Sequence, residues 1–187
     1  KKTTHADWSL WHAILSMEVD NGLTSWVSFY VTNSKSLKPK ETINDLIDTW
    51  ISTEVILNLS WSIYRAKLDP LNIIDTQIYH WLDWSAVNEW WFKVPLLSST
   101  WQEHKNLVAR INLRKYNWSS NIRVDYVIEN NWVYGPDTQS ITYDAKLFIN
   151  NTEIYEKLWL THYHHARWRK TFWSQTQNDI HIKHDIP

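Results

Sequence analysis

The chain has 187 residues with 15 Trp, 2 Gly and no Cys, and its 19 Lys and Arg against 20 Asp and Glu give a formal net charge of -1. A 43% hydrophobic content with so little net charge excludes a disordered chain, a collagen-like repeat and a strongly basic nucleic-acid domain. Without cysteine there is no thiolate catalysis, disulfide or Cys-based zinc site, and no apolar run approaches the roughly 18 residues of a membrane-spanning helix.

In chain order, Leu10 to Val19 and Trp26 to Thr32 read as extended, and Glu41 to Trp50 has a short helix-like spacing. Ile51 to Leu59 and Ala86 to Val94 return to extended structure. In the latter, Trp90 and Phe92 share a face, expected in the core, and Trp91 takes the other. Next, Leu107, Ala109, Ile111 and Leu113 form an apolar face opposite Arg110, Asn112 and Arg114. Ile122, Val124, Tyr126 and Ile128 stand opposite Arg123, Asp125 and Glu129; Ile141, Tyr143, Ala145, Leu147 and Ile149 repeat the pattern. A strand is expected from Leu160 to Trp173, and Ile180 to Pro187 reads as a last strand. Polar clusters at 117–121, 130–131, 135–137 and 150–152 mark turns. Closely spaced turns between period-two segments predict an all-β, mainly antiparallel barrel or sandwich, a single domain over residues 1–187 that is expected to belong to a longer chain.

Tryptophan stands where a tight turn favours glycine at Asp7-Trp8-Ser9, Asp83-Trp84-Ser85 and Asn117-Trp118-Ser119. At the usual frequency of roughly 7% a chain of this length would carry about 13 glycines. These tryptophans are therefore expected at positions that suit glycine, and they are poor evidence for a sugar-stacking platform.

With such tryptophans read as glycine, the run Tyr79-His80-Trp81-Leu82-Asp83-Trp84-Ser85-Ala86-Val87-Asn88-Glu89-Trp90 is followed by Pro95-Leu96 and His104-Lys105-Asn106-Leu107. Then come Ile122-Arg123-Val124-Asp125-Tyr126, Thr142-Tyr143-Asp144 and Arg167-Trp168-Arg169-Lys170-Thr171-Phe172-Trp173. This order resembles the N-terminal β-domain, a RIFT barrel, of rhamnogalacturonan exolyase-like proteins. The resemblance covers most of residues 7–187, and the Arg-Trp-Arg-Lys segment is its most specific part. In that family the β-domain precedes an α/α-toroid that supplies much of the catalytic cleft. No toroid stands here, so the resemblance implies a partial, RIFT-barrel-like accessory domain.

The densest chemistry lies in Thr161-His162-Tyr163-His164-His165-Ala166-Arg167-Trp168-Arg169-Lys170. Extended, this stretch would put His162 and His164 on one face and Tyr163, His165, Arg167 and Arg169 on the other. Cationic and hydroxyl-bearing side chains on one strand suit hydrogen bonding to an acidic saccharide. His162, Tyr163, His164, Arg167, Arg169 and Trp173 are accordingly the candidates for contact with a saccharide or with an adjacent domain or subunit. His162 and His164 have a His-x-His spacing, but a metal site needs three or four converging ligands, so neither a metal nor another cofactor is expected. Glu89 and Glu129 read as strand-end hydrogen bonders or solvated carboxylates, and no catalytic residue is assigned.

The function expected is that of a non-catalytic β-domain of a carbohydrate-associated, pectin- or uronate-lyase-like protein in an extracellular or virion-surface setting, without nucleic-acid partners. Two alternatives stand beside it: a structural component of a virion or surface assembly, with oligomeric contacts, and part of a polysaccharide lyase whose active site needs an absent domain.

Overall fold

The computed structural model describes residues 3–4, 10–12, 42–83, 87–117, 119–130 and 139–175. The strands expected at Trp26 to Thr32 and Ile180 to Pro187, and Trp8, Trp84 and Trp118, lie outside the described residues, as does all of Leu10 to Val19 beyond His12. A minimal two-stranded sheet pairs β1 (Thr3–Thr4) with β2 (Leu10–His12). The expected helix is α1 (Ile43–Ile47), one turn closed by a capping box in which Thr42 and Asp45 satisfy each other's backbone N–H groups.

The chain then forms β3 (Thr53–Leu59), β4 (Ser62–Leu68), β5 (Gln77–Asp83), β6 (Val87–Val94), β7 (Leu97–Ser98), β8 (Leu107–Tyr116), β9 (Ile122–Asn130), β10 (Ile141–Ile149), β11 (Thr152–His162) and β12 (Arg167–Trp173). They form two five-stranded antiparallel sheets, ordered β11-β10-β3-β4-β7 and β12-β9-β8-β6-β5. The protein is an all-β sandwich; of the two arrangements expected, the described strands do not close into a barrel.

One apolar cluster fills the space between the sheets. Val55, Leu57, Ala66, Leu68, Tyr143, Ala145, Leu147 and Ile149 enter from the first sheet, and Trp90, Phe92, Ala109, Ile111, Leu113, Val124, Tyr126, Ile128 and Phe172 from the second. Each fully buried large side chain contributes about 1.5–3 kcal/mol relative to exposure. The expectation that Trp90 and Phe92 are core is met, with Trp91 on the opposite face. Tyr126 carries a polar tip into this core and stitches the layers together, its hydroxyl donating to the Phe148 carbonyl at 2.6 Å. Burial pushes that phenol well above its ordinary pKa.

The strand expected over Leu160 to Trp173 is in fact two. β11 ends at His162 in the first sheet, the chain turns through 163–166 with His165 at φ 63°, and β12 opens at Arg167 in the second. The alternation proposed for this stretch is therefore interrupted, because a residue in the left-handed region reverses the chain instead of extending it.

Three tryptophans show why glycine would suit their places. Trp50 (φ 54°) follows α1, Trp101 (φ 62°) closes the turn after β7, and Trp159 (φ 54°) sits in β11 where two residues, Leu158 and Trp159, oppose Asp144 alone. These are a helix end, a tight turn and a β-bulge, the three settings in which left-handed glycine is usual. All three side chains are thrown outward, with 73–81% of their surface exposed. By contrast, the hairpin between β10 and β11 reaches the left-handed region with Asn150 and Asn151 (φ 49° and 63°), residues that tolerate it.

Candidate functional site

The outward face of the second sheet carries the chemistry. Antiparallel register lays its side chains in rows across β6, β8, β9 and β12. One row is Trp91, Asn112, Asp125 and Thr171, with Tyr79 of β5 beside Trp91. The next is Glu89, Arg114, Arg123 and Trp173, and on the other side run Lys93, Arg110, Val127 and Arg169, then Val108, Glu129 and Arg167. Over these four strands the face holds six cationic side chains and three carboxylates, on a chain whose formal net charge is -1.

Each carboxylate is nearly buried and shared. Asp125 accepts from Arg169 (2.6 Å), from Arg123 (3.2 Å) and from the Thr171 hydroxyl (2.5 Å), with only 4% of its side chain exposed. Glu129 bridges Arg110 (2.9 Å) and Arg167 (2.7 Å). Glu89 accepts the Trp91 indole N–H at 2.5 Å and the Arg114 Nε–H at 2.6 Å. Burial alone would pull the Arg114 guanidinium down, but the Tyr116 side chain and the Glu89 carboxylate outweigh it and hold its pKa above the ordinary value. Glu89 and Glu129 are thus anchored ion-pair partners, not solvated carboxylates, because cross-strand arginines close over them.

Next to this charged field stands an aromatic group. Trp81 and Trp91 stack with ring centroids 4.6 Å apart and planes inclined by 13°, and Tyr79 leans on both at 6.1 Å. Tyr79 is exposed and the two indoles are partly buried at the β5–β6 side of the face. Between the aromatics and Asp125 lies Asn112, which is 9% exposed and has no hydrogen-bonding partner for its Oδ1.

The structure brings together three of the six residues singled out in the sequence. Arg167, Arg169 and Trp173 share the outward face of β12, Trp173 resting 6.0 Å from Tyr116. The other three are placed elsewhere. His162 is buried, with its Nε2–H donating to the Ala166 carbonyl (2.9 Å) and its Nδ1 accepting from the Tyr143 hydroxyl (2.8 Å), so it holds the turn between the sheets. Burial lowers the pKa of this histidine and raises that of Tyr143. Tyr163 is exposed in the turn, and His164 lies against His165 with centroids 3.6 Å apart. Among the described residues no three potential ligands gather for a metal ion.

Trp91, Asn112, Asp125, Glu129 and the arginines of β8 and β9 were not singled out as a site. Their alternation did place Asn112, Asp125 and Glu129 away from the core, but only the strand order shows that four such faces adjoin. A concavity of about 750 Å³ lies where the chain passes from β6 to β7, lined among others by Arg65, Lys67, Lys93 and Glu103. Its Arg65 and Lys67 are already paired with Glu54 and Asp69. None of the unpartnered buried polar atoms of the described residues lines it.

Comparison of the chain with protein-family models, with curated proteins and with solved structures found no match. Among the described residues no helix is long and apolar enough to cross a membrane.

Proposed function

We propose that this domain is a non-catalytic saccharide-binding module whose binding face is the outward surface of the β12-β9-β8-β6-β5 sheet, and that its ligand bears carboxylates. The observation that carries the proposal is the surplus of three cations on that face beside the stacked Trp81 and Trp91 rings. Exposed guanidinium groups on Arg167 and Arg169 retain N–H donors beyond those used on Glu129 and Asp125, and guanidinium matches carboxylate geometry. The exposed Tyr79 ring and the partly exposed indoles offer an apolar surface with a polar edge to a sugar ring. The shared carboxylates hold the arginines in place before the ligand arrives, which lowers the ordering cost of binding. Kinship with the β-domain of rhamnogalacturonan exolyase-like proteins is part of the same proposal and is supported by the order of segments along the chain.

Titration with oligogalacturonides tests the reading through tryptophan fluorescence. The expected outcome is a saturable change that is abolished when Arg167→Ala and Arg169→Ala are combined. A flat response across acidic and neutral glycans would overturn it and would favour a contact surface for an adjacent domain or subunit.

A further inference from the structure

Asn112 is the one neutral amide in the row between the aromatic stack and Asp125, and its setting is unusual. Register places it beside Trp91 of β6 and Asp125 of β9, and along β8 it is flanked by the same-face residues Arg110 and Arg114. Its side chain is nine-tenths buried, yet Oδ1 has no hydrogen-bond partner. Buried polar groups of folded proteins are overwhelmingly paired, because an unmade bond forfeits the hydration given up on burial. All three carboxylates around it are satisfied by arginine, threonine or indole. The ion-pair network therefore leaves one amide unused in the middle of the face.

Resting on the saccharide reading above, we propose that Asn112 is the specificity-determining residue of this face and reads a vicinal pair of ring hydroxyls. One sugar hydroxyl donates to Oδ1 and its neighbour accepts from the side-chain N–H₂, a two-point match that a carboxamide makes and an arginine, having no acceptor, cannot. The arginines then hold the carboxylates of the ligand while Asn112 selects the unsubstituted hydroxyl edge. Oδ1 is shut off from solvent in the free protein, so binding requires a neighbouring side chain to move. Arg110, whose side chain is 44% exposed and anchored to Glu129 by a single pair, is the neighbour with the most freedom.

The test compares trigalacturonate with the same trimer methylated on its ring hydroxyls, using calorimetric titration of the whole chain and of Asn112→Leu and Asn112→Ala. The native protein is expected to prefer the free-hydroxyl trimer by about tenfold, as two lost hydrogen bonds would give. Both variants are expected to lose that preference while still binding the trimers through the arginines. The thermal unfolding midpoint of Asn112→Leu should not fall, since an apolar side chain of similar shape removes an unpartnered amide; a purely structural asparagine would instead lower it. A preference that persists in both variants overturns the role of Asn112 and leaves the saccharide reading standing. Failure of the native protein to bind either trimer overturns both.

Discussion

The two sheets solve the problem of their outward faces differently. On the first sheet, Lys146 reaches Glu153 and Glu156 at 3.0 Å and Arg65 reaches Glu54 at 3.0 Å. Lys146 and both of its partners keep about 40% of their side-chain surface in solvent. Such pairs are screened and contribute little. On the second sheet the three carboxylates are 4–10% exposed, and each is held by donors from at least two different residues. The same alternation of in and out thus yields a solvated surface on one side and a pre-arranged array on the other, and only the latter has the rigidity that recognition requires.

Removing the central acid of the array should have the largest effect. Asp125→Ala leaves Arg123, Arg169 and Thr171 without their shared acceptor, and it should cost about 2–3 kcal/mol, somewhat below the range for a fully buried pair because the arginines are partly exposed. Lys146→Ala on the first sheet should leave stability nearly unchanged, because its ion pairs are solvent-exposed. Urea unfolding of the two variants measures both. Equal losses would erase the distinction between the faces.

Next in size are the left-handed tryptophans. Trp50→Gly, Trp101→Gly and Trp159→Gly each relieve a backbone conformation that costs a side-chain-bearing residue about 1–2 kcal/mol, so each should raise the unfolding midpoint despite deleting a large side chain. Trp90→Gly, in the core, should do the reverse and severely. A fall in stability at all four positions would contradict the glycine-like character of the first three.

The smallest effect expected is on pH dependence. Burial lowers the pKa of His104 and of His162, in the latter case against the opposing effect of its hydrogen bond to the Ala166 carbonyl. The unfolded chain then binds protons that the folded chain refuses. Stability is full above the unfolded histidine pKa of about 6.5 and declines as pH falls through it toward the lower folded values. Thermal unfolding followed from pH 8 to pH 5 should show a plateau and then a fall, with a gentler fall in His162→Gln. No change in slope for that variant would place the effect elsewhere.

Much of the sandwich was legible because β8, β9 and β10 alternate cleanly, and their buried and outward residues fall as the sequence pattern indicates. β11 was not legible beyond its last residues, since its register slips against β10 at two places and breaks the period. The turn after His162 was hidden for a related reason: nothing in a run of histidines signals a left-handed residue at His165. Half of the proposed site could be read from the Arg-Trp-Arg-Lys strand. The other half, Trp91, Asn112, Asp125 and their partners, depends on β12 pairing with β9 and β8 with β6, contacts between segments far apart in the chain that no local pattern encodes.

The claim that the second sheet's outward face binds an acidic saccharide is tested most directly at the Trp91 indole, whose N–H is held by Glu89 at the edge of the array. Its proton resonance can be followed by NMR during addition of oligogalacturonide and, separately, of a neutral galactan. The account predicts a saturable shift of Trp91 and of the Arg169 and Arg167 Nε–H resonances with the acidic oligomer only, with the first-sheet Lys146 unmoved. Shifts confined to the first sheet, or equal shifts with the neutral glycan, would contradict it.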